Sequence, residues 1–149
     1  MFNFKKNAGF TLIELMVVIL IIVILGTLGL VSYAQATKSA RDAKRKSDIE
    51  TVKQAMILYR QDVGTYPVGD YATITSSTNA NGLTHTSRGY LSLPAPQDPD
   101  TANPYTNNNS TTTTFCLCAD IIGTNGNATN ATCANLGTAT GTFYCAQQP

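Results

Sequence analysis

From Phe10 to Val31 the chain runs for 22 residues without lysine, arginine, histidine, aspartate or proline, and Glu14 is the one charge among them. As a helix, at about 1.5 Å per residue, the run is about 33 Å long, matching a bilayer hydrocarbon core of about 30 Å. It is long enough to span. An acid at bilayer depth is unfavourable by about 2.5–3.5 kcal/mol on insertion scales, so Glu14 marks a functional site that needs a partner. No lysine or arginine lies between Lys6 and Lys38. Cutting the chain after Gly9 would create an amine, the ammonium of a new N-terminal Phe10. Within one subunit that amine is about one helical turn from Glu14, whereas a neighbour shifted along the membrane normal could present its own. The carboxylate would then set the register of an assembly.

A different maturation scheme is also written in the chain. Ala34-Gln35-Ala36 is an A-x-A site behind an apolar region, as in an ordinary secretory signal, and would leave Thr37 at the mature terminus. The apolar stretch exceeds the usual ~7–15 residues of such a signal, and Glu14 would have no purpose in it.

The stretch Lys5-Lys6-Asn7-Ala8-Gly9-Phe10-Thr11-Leu12-Ile13-Glu14-Leu15-Met16-Val17-Val18 resembles the leader and cleavage/methylation motif of type IV prepilins and of the pseudopilins of type II secretion. The resemblance continues through Tyr59 to Asp62-Val63-Gly64-Thr65-Tyr66-Pro67, similar to the major-pseudopilin pattern at the end of the long helix. A looser patch follows in Tyr90-Leu91-Ser92-Leu93-Pro94, Asp98-Pro99 and Asn103-Pro104-Tyr105. The resemblance implies an α+β, type IV pilin-like fold, in which a long N-terminal helix packs on a small antiparallel C-terminal sheet carrying disulfides. It divides the chain into a leader (1–9), a transmembrane assembly half of the stem (10–31), an amphipathic half (32–63) and a head (64–149). It also implies cleavage between Gly9 and Phe10 by prepilin peptidase, N-methylation of Phe10, and assembly through Glu14. The implied partners are further copies of the chain in a helical polymer, a platform membrane protein, an assembly ATPase and minor pilins. Before assembly the subunit would cross the cytoplasmic membrane once, with its head outside the cytoplasm.

Positive charges point the other way. Lys5 and Lys6 precede the span, but Lys38, Arg41, Lys44, Arg45 and Lys46 follow it, and the positive-inside rule would place the head in the cytoplasm. The specific leader motif and the four cysteines, which suit an oxidising compartment, outweigh that count. Loss of Lys5 and Lys6 leaves eight basic against nine acidic residues, a formal charge of −1, so no strong field argues for nucleic acid. Lys38, Arg41 and Arg45 share a helical face that could bind lipid head groups or DNA; the favoured reading is a solvated or subunit-facing surface.

No proline interrupts the chain from Phe10 to about Asp62, and Ile49, Val52, Met56, Tyr59 and Val63 trace one helical face. This predicts a helix of about 50 residues, with Gly64 at its C-cap and Pro67 forbidding continuation. Val68 to Asn109 reads mostly as loop, with a short strand over Tyr90 to Leu93. Thr111 to Ala119 and Gly141 to Ala146 read as strands.

Cys116 and Cys118 alternate onto one strand face, Cys133 sits in the following loop and Cys145 in the last strand. A bond within Cys116-Leu117-Cys118 would be strained, so one of the two is expected to join Cys145 and the other Cys133. A four-thiolate zinc site competes, but the spacing lacks paired C-x₂₋₄-C knuckles. No catalytic constellation is present: His85 is the only histidine, and nothing resembles a nucleophile elbow, a phosphate loop or a carboxylate pair. The expected cofactor is none. Related major pseudopilins bind calcium through oxygen ligands, but Asp98, Asp100 and Asp120 match that site poorly. Asn108, Asn109, Asn127 and Asn130 head chance glycosylation sequons. The two-bridge tail favours a pilus subunit for adhesion, motility or DNA uptake over a secretion pseudopilin; a membrane-anchored monomeric binding domain is the reading from another class.

Overall fold

A computed structural model describes residues 9–84, 89–100, 104–108, 110–133, 136–137 and 141–148, with backbone alone at 28–31. Lys5, Lys6, His85, Asn103 and Asn109 lie outside them. The chain divides into two compact units, Met1–Thr37 and Lys38–Pro149. Helix α1, Leu12–Val63, is 52 residues long and runs through both, as the proline-free sequence predicts. Its apolar part is bare: Leu12, Ile13 and every large apolar residue from Leu15 to Leu25 are exposed. It is the one described helix long and apolar enough to cross a membrane. The helix ends at Gly64, whose φ of +87° is a left-handed conformation that suits glycine and whose N–H donates to Arg60 O at 2.8 Å.

Within the second unit, α1 buries the face predicted for it. Ile49, Val52, Ala55, Met56 and Tyr59 join one cluster with Tyr66, Tyr71, Ile74, Leu83, Leu91, Tyr105, Phe115, Leu117, Ala119 and Ala146. The stripe stops at Tyr59, because Val63 is 38% exposed beside the helix end. Aromatic pairs extend the packing: Tyr66 meets Phe115 edge-on at 4.9 Å, and Tyr71 meets Tyr105 at 5.4 Å.

Three antiparallel strands form the sheet in the order β1 (Thr106–Asn107), β2 (Cys116–Asp120), β3 (Phe143–Gln147). Cys118 faces Thr106 on one side and Cys145 on the other. Side chains alternate across a strand, and β2 uses both faces for burial. Leu117 and Ala119 enter the α1 core, while Cys116 and Cys118 enter a second cluster with Ala128, Cys133 and Cys145. Cys116 bonds Cys133 and Cys118 bonds Cys145, the arrangement expected from the avoided Cys-x-Cys bond. No free cysteine remains among the described residues.

Several local expectations need correction. Tyr90 to Leu93 is not a strand; its backbone bends, and Leu91 N–H donates to Leu83 O at 3.0 Å, pinning it to the preceding turn. The region read as loop contains helix α2, Tyr71–Ile74, capped by the Asp70 carboxylate accepting from Thr73 N–H at 2.9 Å, and also β1. The strand read from Thr111 starts only at Cys116. Threonines 111 to 114 spend themselves on a turn in which Thr111 Oγ1 accepts from the N–H groups of Thr113 and Thr114. Local hydroxyl bonds to backbone compete with ladder pairing there. The strand read over Gly141 to Ala146 runs instead over Phe143–Gln147.

Candidate functional site

The start of α1 is built by a reciprocal cap. Thr11 precedes the first helical residue, and Glu14 occupies the third helical position. Glu14 Oε2 accepts from Thr11 N at 2.8 Å and from Thr11 Oγ1 at 2.8 Å, while Glu14 N donates to Thr11 Oγ1 at 3.3 Å. This is a capping box, in which a Thr-x-x-Glu sequence satisfies helix-end donors that would otherwise need water.

Glu14 therefore has a hydrogen-bonding partner within its own chain, Thr11, in addition to the amine expected from a neighbour. The spacing Thr11-Leu12-Ile13-Glu14 would have revealed it. The cap directs the carboxylate back toward the chain preceding the helix, where Phe10 lies 92% exposed and Gly9 has open space around it. The surrounding Ile13, Leu15, Val17 and Val18 are exposed apolar side chains. The geometry thus offers one carboxylate on a bare greasy surface, held at the helix start.

The basic cluster after the span is not one surface. Arg45 is 1% exposed, contrary to its expected place on a solvated or subunit-facing side. Its Nε and Nη2 donate to Asp98 at 2.9 Å each, and its Nη1 donates to Asp42 Oδ1 at 3.2 Å. The Asp98 hydrogen bonds raise the Arg45 pKa further above its already high value. Asp42 also accepts the N–H groups of Ile122 and Gly123 at 3.0 and 2.9 Å. Lys44 pairs with Asp48 at 2.8 Å, and Lys46 donates to Asn125 O at 3.0 Å while lying over the Tyr144 ring. Lys38 and Arg41 remain exposed. Burial of an arginine four turns past the span was not legible locally, because its acid is 53 residues away.

Of Asp98, Asp100 and Asp120, the first has its carboxylate engaged within the head. Asp98 is spent on Arg45 and also accepts Asp100 N–H at 2.7 Å; Asp120 ends β2 half-buried. Among the sequon asparagines, Asn127 pairs its amide with the Cys145 backbone, accepting its N–H at 2.7 Å and donating to its C=O at 2.8 Å. Asn108 donates to Ala131 O at 2.8 Å, and Asn130 is exposed.

Comparison with known proteins finds likeness in both parts of the chain. A family model described as the prokaryotic N-terminal methylation motif matches residues 4–30, and one described as type II secretion system protein G matches residues 32–133. Type II secretion system core protein G of Vibrio cholerae is 32% identical over 98 residues, covering 64% of this chain and 66%, just under two thirds, of that protein. The protein of the same name from Aeromonas hydrophila is 33% identical over 105 residues, covering 68% of this chain and 72% of that protein. No solved structure matches.

Proposed function

The chain belongs to the type II secretion system protein G family, and from that membership we propose that it is a major pseudopilin, a structural subunit rather than an enzyme, that polymerises through its stem. The family match over 32–133 and both relatives favour this reading over the pilus subunit that the two-bridge tail suggested. The bare apolar half of α1 would anchor the subunit in the membrane before assembly, with the head outside the cytoplasm, and afterwards pack against other stems in an envelope filament. Prepilin peptidase would cut between Gly9 and Phe10, where glycine leaves no side chain in the way, and Phe10 would be methylated. A platform protein, an assembly ATPase and minor pseudopilins would complete the machinery.

The observation that carries the proposal is Glu14, held by Thr11 at the start of the exposed apolar stretch of α1, in which it is the one charge. Once Gly9 is removed, the Phe10 ammonium of an adjoining subunit supplies the opposite charge. Association cancels a charge that lipid alone cannot solvate. Mass spectrometry of the mature N-terminus, together with filament recovery from a Glu14→Ala strain, tests this. A methylated Phe10 terminus and a processed but unassembled variant are expected. A terminus at Met1 or Thr37, or filaments at normal yield from the variant, overturns it. Loss of secreted proteins on gene deletion, with surface pili intact, distinguishes the secretion role from the pilus role.

A further inference from the structure

The sulfurs of Cys116, Cys118 and Cys133 form one group across the two bridges, and Cys145 joins it through its bond to Cys118. Cys116 Sγ lies 3.6 Å from Cys118 Sγ, and Cys118 Sγ lies 3.9 Å from Cys133 Sγ, both contacts joining sulfurs of different bridges. The ligand atoms of Cys116, Cys118 and Cys133 all fall within 4.8 Å of one another, and Cys145 stands directly opposite Cys118 in the ladder. Zinc–thiolate bonds of about 2.3 Å arranged tetrahedrally place sulfurs about 3.8 Å apart. The contacts between bridges already have that spacing.

The fold produces this clustering. Strand β2 puts Cys116 and Cys118 on one face, β3 brings Cys145 beside them, and the turn carrying Cys133 delivers the fourth sulfur. All four residues are buried, and Ala128, Ala131, Leu136 and Phe143 pack around them. The sequence spacing lacks the paired knuckles of common zinc sites, but a strand, its ladder neighbour and a loop supply the same ligand set in space.

We propose that the head with both bridges reduced is a tetrathiolate site for a thiophilic divalent cation of the zinc class. Each bridge takes up two electrons and two protons from a dithiol reductant, which ends as a disulfide, so that four thiols result. The cation then displaces four protons and forms four metal–sulfur bonds. Metal and bridges are alternative staples for the same four residues, and the oxidised head has no thiolate to offer. The proposal is independent of the secretion role.

The full-length chain in detergent micelles, reduced with a dithiol, freed of it without oxygen and titrated with Co²⁺, tests the site. One Co²⁺ per chain is expected, with the visible ligand-field bands and sulfur-to-metal charge transfer of a tetrahedral thiolate complex. These are to be displaced by Zn²⁺, lost in Cys118→Ser and absent from the oxidised chain. Because that variant alters the core, the reduced native chain decides the matter by itself. Absence of the bands at equimolar Co²⁺, or a stoichiometry of two chains per cation, overturns the proposal.

Discussion

Arg45 and Asp98 form a two-pronged ion pair sealed inside the head, with side chains 2% and 1% exposed and Nε and Nη2 of the arginine each 2.9 Å from a carboxylate oxygen. The pair ties α1 to a segment 53 residues away. Enclosing two charges costs most of what their attraction returns, so the net stabilisation from the intact pair is small, but removing one partner strands the other. Asp98→Asn leaves Arg45 with Asp42 as its remaining acid at 3.2 Å, so the head is expected to lose less than the about 3–5 kcal/mol of a fully stranded charge. The double replacement Arg45→Met with Asp98→Leu should recover most of that loss. Denaturant titrations of the full chain in detergent check both; equal losses in the single and double variants would contradict the burial argument.

The two bridges close chain segments with sequence separations of 17 and 27 residues. Loop-closure entropy assigns each about 3 kcal/mol, with the longer Cys118–Cys145 segment ahead by a few tenths. Cys133→Ser should therefore lower head stability slightly less than Cys145→Ser. Peptide mapping without reduction checks the pairing first, and a Cys116–Cys118 product from the native chain would refute it.

Gly64 ends α1 with φ at +87°, and a Cβ built there meets nothing within 4 Å. Only the backbone conformation opposes a side chain. Gly64→Ala should cost about 1–2 kcal/mol through the left-handed conformation alone, and Gly64→Asn less, because asparagine tolerates it better. Thermal melts of the two variants rank them, and an alanine variant as stable as the native chain would remove the helix-stop assignment.

Tyr71 and Tyr105 are buried against each other, and Tyr105 Oη donates to Asp48 at 2.7 Å. Burial pushes both phenols above their ordinary value; the Asp48 charge adds to the effect at Tyr71, and its hydrogen bond adds to it at Tyr105. A folded pKa above the unfolded one means that the contribution to stability is complete below the unfolded tyrosine value of about 10 and declines as pH rises above it toward the folded value. Head stability should accordingly fall on the alkaline side of about pH 10, and Tyr105→Phe should flatten that fall. Urea midpoints across alkaline pH measure it. An unchanged slope in the variant would place the titration elsewhere.

The long helix, its stopping glycine, the membrane-length run and the avoided Cys-x-Cys bond were all legible in the chain. Each depends on local composition or on a spacing shorter than a few turns. Thr11 was equally legible through its Thr-x-x-Glu spacing with Glu14. Arg45 was not, because a cation at the end of a basic run reads as solvated until tertiary structure brings Asp98 and Asp42 around it. The β-strand bounds also escaped: the threonines before Cys116 favour strand by propensity, but their hydroxyls close a turn instead. Periodicity decides which faces are greasy and where a helix must end; only the folded chain decides which distant acid meets which base and which sulfurs share one cavity, because those contacts depend on packing between segments far apart in sequence.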